Sequence, residues 1–203
     1  MNYQEVLAKD PIIKSLLDKY GPIELSSIDK SNYFRHLIKS IIGQQLSVKA
    51  AATINSRMLA NFDNDPTPQK LLNCSSDDLR SLGISNRKGT YLKNLAAYAE
   101  ENPLHQLDTL SNELIIDALS SIKGIGTWTV KMFLISALGR TNVRPYEDLT
   151  IRQQVKALYK LSEDDDVKEF FLKQADIWHP YESIACLYLW LSLIHISEPT
   201  RPY

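Results

Sequence analysis

The 203-residue chain is poor in cysteine, histidine pairs, long apolar runs and net charge, and each scarcity removes a class of function. Its two cysteines, Cys74 and Cys186, supply neither a disulfide framework nor a thiolate metal cluster, and each reads as a small apolar filler. His36, His105, His179 and His195 show no i,i+4 spacing and no HExxH pattern, which speaks against a transition-metal site. No apolar run reaches the roughly 20 residues a membrane span needs. The N-terminal MNYQEVLAKD lacks the apolar stretch of a signal peptide, so a cytoplasmic location without membrane contact is expected. A formal charge of −1 argues against broad affinity for a phosphate backbone, while leaving room for a local basic patch.

Strand-like alternation is also missing, and what fills the chain is helical periodicity. In YFRHLIKSII, Phe34, Leu37, Ile38, Ile41 and Ile42 recur at three- and four-residue steps, the pattern of an amphipathic helix facing a core. Gly43-Gln44-Gln45-Leu46 interrupts it, and Ser47 is placed to cap the following VKAAATINSRMLANF. Ser75, Ser85 and Ser111 open further helices, Gly83 and Asn102-Pro103 close them, and Pro180 suits the first turn of the last one. About ten helices with no repeat and no low-complexity linker imply an all-α protein whose lobes, if two, pack together.

Of only seven glycines, two stand one residue apart in KGIGTW, between the helical runs LIIDALSSI and TVKMFLISAL. Such a turn exposes backbone N–H groups at a helix N-terminus, where Gly124, Gly126 and Thr127 could hold a phosphate, and a Cβ there would hinder its approach. The same pattern also serves as an ordinary αα-corner.

The wider context carries more. LSSIKGIGTWTVKMFLISALG followed by RTNVRPYEDLTIRQ, with Pro145 and Asp148, resembles the helix-hairpin-helix, Gly/Pro-rich loop and aspartate of the HhH-GPD DNA glycosylase superfamily. IIGQQLSVKAAATINSRM resembles the segment bearing the DNA-wedging loop of AlkA-type 3-methyladenine DNA glycosylases, and LGISNRKGTYLKNLA and WHPYESIACLYLW resemble later segments of that family. The resemblance spans roughly Asp10 to Trp190 and implies a monofunctional glycosylase that hydrolyses alkylated purines from damaged double-stranded DNA. It implies Asp148 as the catalytic carboxylate, Gln45 and Leu46 as the wedge, and Trp128, Met132, Trp178 and Tyr181 as the base pocket. Trp128 stands where the lyase members of the superfamily carry a Schiff-base lysine. A monovalent cation at the hairpin, no catalytic metal, a monomeric state and a nucleoid association in a bacterium are implied as well.

The residue chemistry agrees with these roles. Breaking an N-glycosidic bond builds positive charge on the sugar, which a carboxylate can stabilise while orienting water. Asp148 is equally placed to cap a helix, and Glu147 stands beside it. The expected architecture is a lobe of about 30–142 with wedge and hairpin, and a second of 1–29 plus 143–190, with Asp148 presented toward Trp128 and Tyr181. An extra N-terminal β-domain is not expected, because helical pattern starts near Gln4. Residues 191–203 resemble translated sequencing-adaptor sequence and are expected to be non-native. A DNA-binding protein that recognises damaged or bent DNA without cleaving it would need the hairpin but not Asp148.

Overall fold

The computed structural model describes residues 2–196, and within them every regular element is helical. Twelve α-helices follow in order: α1 Tyr3–Leu7, α2 Pro11–Tyr20, α3 Tyr33–Gly43, α4 Val48–Asn61, α5 Pro68–Asn73, α6 Ser76–Ser81, α7 Asn86–Glu101, α8 Asn112–Ser120, α9 Thr127–Ser136, α10 Leu149–Leu158, α11 Val167–Trp178 and α12 Glu182–Ile196. Short 3-10 turns cover Lys30–Asn32 and Leu104–Thr109. The serines act as expected: Ser47, Ser85 and Ser111 each accept a backbone N–H of the first turn, and Ser75 forms a reciprocal capping box with Asp78. Pro180 differs from expectation. It follows a cis bond to His179, and α12 begins only at Glu182. Of the segment expected to be non-native, residues 191–196 continue α12 and 197–203 lie outside the described residues.

The chain forms two compact units, residues 28–133 and residues 2–27 with 134–196. The chain passes from one to the other inside α9, after Phe133, where the sequence pattern suggests the loop at 142. The reason lies at Gly139. Its φ is +66°, and a Cβ there would lie 2.9 Å from Ser27 N, so the turn just after α9 is seated on the 26–27 backbone. In unit 28–133, α3 packs on α4 and α7, and α7 on α5 and α6. The α3 stripe Leu37, Ile38, Ile41 and Ile42 is fully buried, as are Leu92 and Leu95 of α7. Phe133 meets Tyr33 edge-on at 5.4 Å.

In the other unit α12 packs on α10 and α2, around Leu7, Ile13, Phe171, Trp178 and Tyr188. One buried carboxylate ties this core together. Asp10 Oδ1 caps α2 through Ile12 N and Ile13 N, while its Oδ2 accepts from Trp178 Nε1 at 2.9 Å and from the Tyr159 hydroxyl. Burial and the carboxylate beside it push the Tyr159 phenol far up, so it keeps the proton it donates to Asp10. No helix among the described residues is long and apolar enough to cross a membrane.

Candidate active site and nucleic-acid interface

Two loops of unit 28–133 and one of the other unit hold the residues singled out above. The first is the hairpin between α8 and α9. Gly124 has φ +109°, and a Cβ on it would fall 2.1 Å from Tyr91 Cγ. Its glycine requirement is therefore internal, set by Tyr91 and by the backbone angle, which corrects the expectation that it clears space for a phosphate. Gly126 is exposed, and a Cβ there would meet nothing within 4 Å. It sits immediately before α9, where the first turn of a helix leaves N–H groups without intrahelical acceptors. Of the two glycines, only Gly126 has open space in front of it.

The second loop joins α3 to α4. Gln45 takes the left-handed conformation at φ 58°, uncommon for a residue with a Cβ. Leu46 is 39% exposed and Val48 89% exposed, so the tip presents apolar side chains to solvent. A cleft of about 360 Å³ runs from this loop to α9, lined by His36, Lys39, Gln44, Gln45, Trp128 and Met132 among others. Trp128 keeps 43% of its surface exposed. The sequence reading weighed His36 only as a metal ligand. Burial pushes its imidazole down, favouring the neutral form, and its ring lies edge-on to Phe133 at 5.8 Å.

Local charge also favours this unit. Residues 28–133 carry twelve Lys and Arg against ten Asp and Glu, although the whole chain is net negative. Lys39, Lys49, Arg87 and Lys123, on or beside the two loops, are all exposed.

Asp148 lies in the other unit and is 9% exposed. It is the N-cap of α10, Oδ1 accepting from Ile151 N at 2.9 Å. The same oxygen accepts from Trp190 Nε1 at 3.0 Å. The cap role thus belongs to Asp148 and not to Glu147. The loop before it is held from α12: Val143 N donates to Ser183 Oγ at 3.0 Å, and Ser183 N to Thr141 O at 2.8 Å. Arg144 pairs with Asp176 and with the buried Glu182, whose Oε1 also contacts His179 Nδ1 at 2.9 Å. Removing water from around Glu182 is costly, and the guanidinium offsets that cost with two charge-assisted bonds.

One aromatic assignment changes. Trp178 is fully buried, stacked edge-on with Phe171 and bonded to Asp10, so it has no face for a base. The indole that reaches the proposed catalytic carboxylate is Trp190, which the sequence reading did not single out. The only local hint is that an indole N–H drawn out of water needs an acceptor. Tyr181 is half-buried, 6.1 Å from Tyr3.

The HhH-GPD superfamily of base excision DNA repair proteins matches residues 38–180. The chain is 35% identical over 194 residues to DNA-3-methyladenine glycosylase 1 of Schizosaccharomyces pombe, covering 92% of this chain and 84% of that one. Its fold is similar to a DNA-3-methyladenine glycosidase of Bacillus halodurans, with TM-score 0.81, 32% identity, and coverage of 92% of this chain and 86% of that one. It is also similar to the 3-methyladenine DNA glycosylase of Schizosaccharomyces pombe in complex with abasic DNA, with TM-score 0.83, 30% identity, and coverage of 99% and 100%.

Proposed function

The chain belongs to the HhH-GPD superfamily of base excision DNA repair proteins, and on that premise we propose that it is a DNA glycosylase hydrolysing the N-glycosidic bond of alkylated purines, without lyase activity. Its partner is DNA, and the proposed substrate is a duplex carrying 3-methyladenine- or 7-methylguanine-type lesions, bound by a monomer.

A base inside a duplex must leave the stack before chemistry can reach it. The exposed Leu46, with Gln45, would fill the vacated space, and the backbone around Gly126 and Thr127 at the start of α9 would grip a phosphate. The flipped base would lie against Trp128 and Met132 in the cleft. An alkylated purine is cationic, so the ring face of Trp128 attracts it. Being charged already, it departs without a strong general acid. Asp148 would stabilise the sugar's developing positive charge and orient water, while Trp190 and the α10 amide fix its orientation.

The observation that carries this reading is that one chain of this family has both an exposed tryptophan at the lyase-lysine position and a carboxylate held at a helix N-terminus. A monovalent cation would be held by carbonyls of the hairpin turn. Lys123 O and Gly124 O each accept one amide proton, from Asn94 and Gln44, and a carbonyl has a second lone pair, so the turn fits such an ion. It would supply positive charge there to offset a phosphate. The test is release of modified base from methylated duplex DNA by the chain and by Asp148→Asn. Tight binding without release would replace hydrolysis with a binding-only role.

A further inference from the structure

Helix α7 touches both of the loops proposed to meet DNA. Lys88, Tyr91 and Asn94 follow at three-residue steps, which sets them along one face. Lys88 Nζ donates to Ile42 O at 2.7 Å and to Gln44 O at 2.6 Å, gripping the backbone on both sides of Gly43. One turn on, the Tyr91 ring fills the space that a Cβ on Gly124 would need. Asn94 Nδ2 then donates to Lys123 O at 3.1 Å. Gln44 closes the circuit, its Nε2 donating to Gly124 O at 3.0 Å.

Resting on the glycosylase reading, we infer that α7 is a brace that fixes the wedge loop relative to the hairpin, and that Lys88 is a positioning residue for base extrusion and not a phosphate contact. The carbonyls it holds lie at the C-terminal end of α3, where the helix dipole favours a cation. Both bonds are charge-assisted, so they resist loosening more than neutral ones. The loop needs such support. Gln45 holds a left-handed backbone that persists only when its surroundings enforce it, and Leu46 must press into stacked bases without the loop yielding. Arg87, the adjacent and exposed cation, lies over the Tyr91 ring at 5.7 Å and so backs the same face of α7.

The experiment compares the full chain with Lys88→Met, Lys88→Arg and Lys88→Gln in three measurements. Amide hydrogen exchange of residues 43–47 without DNA reads the brace directly. Exchange should be faster in Lys88→Met, intermediate in Lys88→Gln, and near wild type in Lys88→Arg, whose guanidinium can also donate twice. Single-turnover base release should fall about tenfold or more in Lys88→Met, the scale of a small misplacement at a reacting centre. Affinity for undamaged duplex, measured against salt, should keep its slope. A slope reduced by about one would make Lys88 a phosphate contact and overturn the inference. Unchanged exchange at 43–47 would overturn it as well. If Lys88→Met does not fold, Lys88→Gln is judged by the same outcomes. A wild-type chain that releases no base would sink the glycosylase reading, and the exchange experiment would still decide the brace.

Discussion

Asp148→Asn separates the two jobs of one carboxylate. Asparagine caps helices about as well as aspartate, and its side-chain oxygen can still accept from Ile151 N and Trp190 Nε1. What disappears is the negative charge. At the helix N-terminus that loss costs about 0.3–1 kcal/mol of stability. At a sugar developing positive charge, loss of an electrostatic stabiliser is worth about 10²–10³ in rate, or roughly 3–4 kcal/mol. Asp148→Ala should behave differently. It removes the cap, at about 1 kcal/mol, and leaves the part-buried Trp190 indole N–H without this acceptor, at about 0.5–1.5 kcal/mol more. Thermal unfolding should therefore rank wild type just above Asp148→Asn and both well above Asp148→Ala, while single-turnover release falls in both variants. Undiminished release by Asp148→Asn would refute the catalytic assignment, and equal destabilisation of the two variants would refute the hydrogen-bond reasoning.

The remaining predictions are simpler. Gly124→Ala should destabilise the fold by about 1–3 kcal/mol, because its Cβ falls on Tyr91 at a strained φ, whereas Gly126→Ala should leave melting nearly unchanged and weaken binding to abasic-site duplex. Trp178→Ala should cost about 3–5 kcal/mol in denaturant unfolding, and Trp178→Phe less, with the folded protein keeping its release rate; a specific loss of release would return Trp178 to the base pocket. Leu46→Ala should slow release with little change in stability, since the side chain is partly exposed, and a large fall in melting temperature would show it to be a packing residue instead.

Much of this protein was legible locally. Helix existence follows from apolar spacing, and helix starts follow from Ser47, Ser75, Ser85 and Ser111, because a cap acts within three residues of its own position. Asp148 as a cap, and the break at KGIGTW, belong to the same short-range physics. Partner choice across the fold does not. Trp178 and Trp190 are both aromatic positions on core-facing helices, and nothing within a few residues says that one donates to Asp10, 168 positions away, and the other to Asp148.

Glycine and lysine teach the same lesson. Gly124 and Gly126 look equivalent in sequence, yet Tyr91 occupies the space beside one and nothing occupies the space beside the other. Lys88 looks like any surface cation at a helix start until α7 packs on α3 and brings two carbonyls within bonding distance. The sequence by itself determined the all-helical class, the caps and the two loop breaks, since each depends on neighbours along the chain, and it named the catalytic candidate through its resemblance to a known family. Only the tertiary structure decided which indole serves the carboxylate, which glycine faces open space and which lysine is spent inside, because those outcomes depend on which distant groups packing brings within about 3 Å.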